Sequence, residues 1–166
     1  MTMIQSQESA GAPPLVAIAI RAANEQDLPA VTALLAELEA GATDMPLDQA
    51  RAAFARICMV PAMVVWLVER AERAVGTYTS IIIPNLGHHG APLMIVESVV
   101  VARSERGGGV GAVMMRHAMR QAAAAGCYKL ALSSNVKRVD AHRFYRRLGF
   151  AQHGVSLTVE PLPVEV

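Results

Sequence analysis

The sequence predicts an α+β fold in which helices cover a mixed β-sheet. Three features point to it. Runs of β-branched and aromatic residues of strand length recur along the chain, and two amphipathic helical segments come early. In the second half a strand, a glycine-rich bend, a helix and another strand follow one another directly.

Residues 1–15 are small and polar around Pro13-Pro14 and are expected to form a mobile tail, leaving 16–166 as one domain. Val16 to Ile20 is a short apolar strand ending at Arg21. Asp27 is expected to cap a helix with Pro29 in its first turn; Leu28, Val31, Leu35 and Leu38 recur at helical spacing, and Gly41 ends it. Asp48 is expected to cap a second, alanine-rich helix with Phe54, Ile57 and Cys58 on one face. Met63 to Val68 and Val75 to Ile83 form strands, and Pro84-Asn85-Leu86-Gly87 a turn. The segment His88 to Pro92 leads into the strongest strand, Leu93 to Val101. Beyond the glycines, Val110 to Ala125 is a helix that places Met114, Met115, Ala118 and Ala122 on one face and stops at Gly126. Tyr128 to Ser133 is a strand, Asp140 to Leu148 a short helix closed by Gly149, and the tail holds one more candidate strand. The order is β-α-α-β-β-β-α-β-α-β, without an internal repeat.

Composition excludes several classes. The chain has 166 residues, 53% hydrophobic and 17% charged, against about 25% charged in an average soluble domain, so it is not largely disordered. Its longest apolar run, Met59 to Val68, contains Pro61 and falls short of the roughly 20 residues that cross a bilayer. Cys58 and Cys127 lack the spacing of a disulfide framework or a zinc module. The first residues lack the pattern of a secretion signal, so a cytoplasmic protein is expected. His88, His89, His142 and His153 invite a metal reading. Neighbouring side chains in an extended segment diverge, however, so His88 and His89 are expected on a substrate-facing loop, His142 in solvent, and no metal is expected.

Net charge is only +1, but it is unevenly spread. Val101 to Phe150 holds ten basic residues against Glu105 and Asp140, a surplus of eight, while the remainder holds five basic against twelve acidic. A basic lobe calls for an anionic partner: a phosphate-bearing cofactor, an acidic substrate or nucleic acid. Nucleic-acid binding would need stacking aromatics among the basic residues, and aromatics are 4% of the chain.

Arg106-Gly107-Gly108-Gly109-Val110-Gly111 lies between a strand and a helix. Glycines there let backbone N–H groups and the positive helix end meet an anion, with Arg103 and Arg106 adding charge. A diphosphate is the expected occupant. A nucleoside-triphosphate loop would end in Lys-Ser or Lys-Thr, which is missing. Gly107, Gly109 and Ala112 satisfy a dinucleotide fingerprint, but no acid follows about twenty residues on, and too little chain remains for a doubly wound sheet. A plain flexible connection is the bland alternative.

The pattern Arg-x-x-Gly-x-Gly after Val99-Val100-Val101 resembles the acetyl-CoA loop of the GNAT N-acetyltransferases. A second motif, Ala141-His142-Arg143-Phe144-Tyr145-Arg146-Arg147-Leu148-Gly149-Phe150, is similar to that family's late helix and strand entry. The resemblance runs from about Ile18 to Val159 and is strongest from Ile95 to Phe150. The run Leu132 to Arg138, continued to Tyr145, resembles the aminoalkylphosphonate N-acetyltransferases in particular. The resemblance implies α/β/α layers: a central, mostly antiparallel sheet of about 6–7 strands flanked by about four helices. It also implies acetyl-CoA as co-substrate, a small primary amine as acceptor, direct transfer in a ternary complex, and often a homodimer.

Acetyl transfer from a thioester needs a deprotonated amine, a stabilised oxyanion and a proton for the leaving thiolate. Glu97, the one acid in an apolar strand, is the candidate base, its carboxylate expected to be desolvated there. A glutamate at a strand end, or one paired with a buried cation, is the alternative. Tyr145 lies on the inward stripe with Ala141, Phe144 and Leu148, and the resemblance makes it the candidate acid beside the thioester sulfur. From spacing alone, a packed tyrosine with a satisfied hydroxyl is the more common outcome, and only the resemblance reverses that order. By the same resemblance the Val99 N–H meets the acetyl carbonyl, and Val100 and Val101 follow the pantetheine arm. Arg106, Gly107, Gly108, Gly109, Val110, Gly111 and Ala112 surround the diphosphate, and Ser134, Asn135 and Arg138 complete the cofactor set. The family often carries an asparagine seven residues before the tyrosine, where Arg138 stands here. A non-catalytic acyl-CoA sensor would keep the glycine loop without needing Glu97 or Tyr145.

Overall fold

In the computed structural model, residues 17–38 and 45–160 are described. The strands are β1 (Ile18–Ala22), β2 (Met63–Arg70), β3 (Arg73–Ile83), β4 (Leu93–Val101) and β5 (Lys129–Leu132). The helices are α1 (Leu28–Ala36), α2 (Leu47–Cys58), α3 (Val110–Ala124) and α4 (Val139–Arg147). The strands lie in the order β1-β2-β3-β4-β5. Each neighbouring pair is antiparallel except β4 and β5, which run parallel because α3 carries the chain back between them.

Period-two alternation directs alternate side chains of β2 to the two faces of the sheet. Val65 and Leu67 meet Val31 and Leu34 of α1, with Phe54 and Ile57 of α2 beside them. Val68 packs on the other face with Val75, Tyr78, Met94 and Val96, beneath Val110, Met114, Met115, Ala118 and Ala122 of α3. Phe144 and Tyr145 of α4 pack against that layer as well, so two helices cover each face, the α/β/α layering the resemblance implies. Met114 and Met115 are fully enclosed; burial of such a side chain contributes about 1.5–3 kcal/mol. Gly76 lets α3 come this close to the sheet, since a methyl there would lie 3.0 Å from Met114 Sδ and from the Val100 carbonyl oxygen.

Polar groups in this layer are paired. Trp66 Nε1 donates to Ser80 Oγ at 2.9 Å, and Thr77 Oγ1 donates to the Trp66 carbonyl at 2.9 Å. The enclosed Tyr78 hydroxyl bonds His117 Nδ1. Burial, assisted by nearby Arg120, holds the His117 imidazole below its ordinary value, so neutral Nδ1 can accept the Tyr78 proton.

Several expectations need correction. Asp27 occupies the N-cap position of α1, but its side chain makes no capping bond there. It closes a capping box begun by Asn24, whose Oδ1 accepts from Gln26 N while the Asp27 carboxylate accepts from the Asn24 N–H. Asp48 sits in the first turn of α2, and Pro46 occupies the cap. Gly41 and the residue 1–15 tail lie outside the described residues. The sheet has five strands among the described residues, rather than six or seven. No tail strand forms among the described residues: Val155, Leu157 and Val159 are 80%, 89% and 90% exposed. Their alternation suits a strand, but a strand needs a partner for its backbone groups, and none of the described strands pairs with this segment.

An ion-pair cluster fixes the start of α1 to the sheet. Arg21 grips both Asp27 oxygens at 2.7 and 2.8 Å, and Glu69 of β2 at 3.0 Å. The Arg21 guanidinium holds the Asp27 carboxyl below its ordinary value. That contribution to stability is complete above the unfolded carboxyl value of about 4 and is lost as pH falls through the lower folded value. Arg21→Gln is expected to raise the midpoint of acid unfolding, followed by circular dichroism against pH; an unchanged midpoint would show that the cluster contributes nothing.

Candidate active site

The site opens where β4 and β5 part. Their pairing ends at Val96 and Leu132, so Glu97 to Val101 have no strand on that side. On the other side, β3 pairs Thr79 with Glu97 and Thr77 with Val100, leaving Ser98 and Val99 opposite the single residue Tyr78. Ser98 adopts φ 53°, a left-handed conformation unusual for a side-chain-bearing residue. This bulge takes Val99 out of register with β3 just where the other edge is open. Nothing in the local sequence announced it.

A cleft of about 810 Å³ occupies the opening, lined by the end of β4, the glycine bend, the start of α3, and α4 with the residues before it. Gly109 stands at the N-cap of α3 with φ 82° and offers no side-chain cap. Gly107 has φ 81°, so both glycines turn the chain in a way residues with a Cβ resist. The Gly108 N–H is spent on the Glu105 carbonyl at 3.2 Å. Among the described residues, the N–H groups of Gly107, Gly109, Val110 and Gly111 meet no protein acceptor. They form a cluster of donors at the positive end of a 15-residue helix, the setting in which anions bind. Gly111 also lets α4 approach, because a methyl there would lie 3.1 Å from Phe144 Cζ.

Charge around the cleft favours an anion. Its carboxylates are engaged: Glu37 accepts from the Arg103 N–H at 2.8 Å and lies 3.7 Å from Arg106, Glu105 pairs with Arg70, and Asp140 pairs with Arg143. Among the described residues, Lys137, Arg138 and Arg147 line the same space without a carboxylate partner. Arg106 Nε donates to the Val101 carbonyl at 3.1 Å, which fixes its side chain along the end of β4.

Tyr145 enters from α4, whose inward stripe of Ala141, Phe144, Tyr145 and Leu148 is part-buried against the α3 layer. Its ring lies 5.1 Å from Phe144 and 5.5 Å from Phe150 between centroids. Among the described residues the hydroxyl makes no hydrogen bond. Burial pushes it above its ordinary value; Arg138 opposes this, and Glu97 reinforces it. The hydroxyl therefore keeps its proton through the neutral range.

Of the residues predicted from sequence, the cleft gathers Val99, Val100, Val101, Arg106, Gly107, Gly109, Val110, Gly111, Ala112, Arg138 and Tyr145. Gly108 is turned away with its N–H occupied. Ser134 and Asn135 do not line it: Asn135 Oδ1 closes a turn onto the Lys137 N–H at 2.9 Å, while Ser134 Oγ is buried without a partner. Glu97 is exposed, so the desolvation expected of an apolar strand is missing, although its charge still reaches Tyr145. The His88 segment is a 3-10 turn with left-handed backbone, not an extended loop, and His88 stacks on Tyr128 at 3.7 Å. It belongs to the end of β4 opposite the glycine bend and is not part of the cleft lining. His142 is half-buried rather than solvated. Burial pushes the Cys127 thiol up, and neither cysteine lines the cleft. No helix among the described residues is long and apolar enough to cross a membrane.

Comparison with known proteins agrees with this geometry. The model of the Acetyltransferase (GNAT) family matches residues 29–150. An aminoalkylphosphonate N-acetyltransferase of Salmonella typhimurium is 32% identical over 139 residues, 84% of this chain and 88% of that one. A glucosamine 6-phosphate N-acetyltransferase of Trypanosoma brucei brucei is 35% identical over 81 residues, 49% of this chain and 53% of that one. A solved structure from Agrobacterium tumefaciens str. C58 superposes with a TM-score of 0.81 at 30% identity, covering 86% of this chain and 99% of that one. A strand parted from its neighbour, a glycine bend with unpaired amides and a family model that spans most of the chain lead to one assignment: this protein belongs to the GNAT family of acetyltransferases.

Proposed function

We propose that the protein transfers the acetyl group of acetyl-CoA directly to the primary amine of a small anionic molecule. The observation that carries this reading is the convergence of three features on one cleft: the unpaired amides at the start of α3, the open edge of β4 at its bulge, and the Tyr145 hydroxyl. In this reading the amides of Gly107, Gly109, Val110 and Gly111 hold the diphosphate of the cofactor. The end of β4 runs beside the pantetheine arm as a strand edge does beside an added strand.

The chemistry then falls to three groups. The Val99 N–H, at the bulge, donates to the acetyl oxygen as it gains negative charge. Glu97, exposed beside the opening, takes the ammonium proton directly or through a water, since a free alkylamine with a value near 10.4 is mostly protonated at neutral pH. Tyr145 gives its proton to the sulfur as the carbon–sulfur bond breaks and the carbon–nitrogen bond forms, and the second proton shed by the nitrogen restores the Tyr145 hydroxyl. A covalent acyl-cysteine is not part of this scheme, because Cys58 and Cys127 both lie off the cleft.

The cations support an anionic acceptor. Lys137, Arg138 and Arg147 exceed the carboxylates available to them, and both curated relatives are named for amines that carry a phosphonate or a phosphate.

A thiol-release assay with acetyl-CoA and a panel of amines tests the activity. Tyr145→Phe is expected to lower kcat by about 10² to 10⁴ with little change in the acetyl-CoA KM. Because burial raises the Tyr145 hydroxyl, its acid form persists through the neutral range, and wild-type kcat should show no loss from this group there. An undiminished kcat in the variant removes Tyr145 from the mechanism. For the acceptor, aminoethylphosphonate should exceed ethylamine in kcat/KM by at least about tenfold, the worth of one charge-assisted hydrogen bond. Equal values would contradict the anionic class.

A further inference from the structure

We propose that Arg70, at the far end of the β2–β3 hairpin, is a positioning residue that shapes the glycine bend and cancels a carboxylate beside it. The proposal rests on the reading of that bend as the diphosphate site.

Arg70 is the last residue of β2 and pairs with Arg73 across a two-residue turn, Ala71 and Glu72, with φ 49° and 61°. That tight reversal brings its side chain to a segment 35 to 38 residues further along. Nη1 donates to Glu105 Oε2 at 2.6 Å, and Nη2 donates to the Gly108 carbonyl at 3.2 Å. The side chains of Arg70 and Glu105 are only 27% and 17% exposed, and Arg70 Nε is buried without a partner. Burying an unpaired N–H opposes this placement, so the two bonds and the charge pairing must hold the guanidinium where it is.

The result is a residue held at both ends. The Gly108 N–H is bound by the Glu105 carbonyl, and the Gly108 carbonyl is bound by Arg70. On either side of these anchors, Gly107 and Gly109 take their left-handed conformations, and the remaining amides are left to the cleft. A planar fork can reach both acceptors together, whereas an ammonium is a single point of charge. Glu105 also lines the cleft, and without a cation its carboxylate would repel a diphosphate. Arg70 thus acts on the cofactor site through position and through charge, without lining the cleft itself.

The test compares two thioesters, acetyl-CoA and S-acetyl-N-acetylcysteamine, which lacks the diphosphate. Arg70→Ala is expected to raise the acetyl-CoA KM, and the CoA dissociation constant by calorimetry, at least about tenfold. kcat/KM for the truncated thioester should stay within about twofold of wild type. Adding Glu105→Gln to Arg70→Ala should recover part of the lost affinity, because the unmatched carboxylate is gone. If Arg70→Ala fails to fold, Arg70→Lys keeps the stem and the charge; it should still weaken acetyl-CoA while sparing the truncated thioester. Equal losses with both thioesters, or an unchanged acetyl-CoA KM, would overturn the proposal. If wild-type protein itself takes up no CoA, the underlying reading of the bend fails instead.

Discussion

A helix that begins without a side-chain cap leaves backbone donors to be satisfied from outside, and the rest of this site is arranged around that unmet need. The start of α3 has this character because Gly109, in a left-handed conformation, occupies the cap position. The interior of the helix is committed elsewhere: Val110, Met114, Met115, Ala118 and Ala122 are packed into the sheet. The amides therefore cannot turn away to find other partners. Packing fixes the axis, and the axis aims the donors at the cleft where we propose that the diphosphate is held.

The second constraint lies in β4. A regular strand in mid-sheet has its backbone groups taken up on both edges and offers nothing to a ligand. Here the α3 crossover lets β5 end at Leu132, freeing one edge of β4, while the bulge at Ser98 and Val99 disturbs the other. Irregularity at one point in an otherwise ordered sheet creates a polar lining for a narrow space. Side chains are then needed in only small number, and Tyr145 is delivered by a helix whose approach depends on Gly111 lacking a Cβ.

Much of this could be read in the amino-acid order because it is local. The β4 limits, Leu93 to Val101, coincide with the expected ones, since a long β-branched run bounded by proline and a glycine bend leaves little freedom. The buried face of α3 and the inward stripe of α4 also follow from helical spacing. Several of the misses originate in contacts between distant segments. The Arg70 contacts join residues 35 and 38 positions apart, and Glu37 reaches Arg103 across 66. No local pattern signals such pairs. Exposure of Glu97 depends on where β5 stops, which the apolar run around Glu97 does not reveal. The tail alternation at Val155, Leu157 and Val159 is a pattern that suits a strand, but pattern alone does not supply a neighbouring edge.

The most direct measurement is the response of individual amide resonances in isotope-labelled protein titrated with CoA. If the bend holds the diphosphate, the Gly107, Gly109, Val110 and Gly111 amide protons move strongly downfield as new hydrogen bonds form, while Gly108, already bonded to Glu105, moves least. Saturation of CoA binding with those four resonances unmoved would contradict the account.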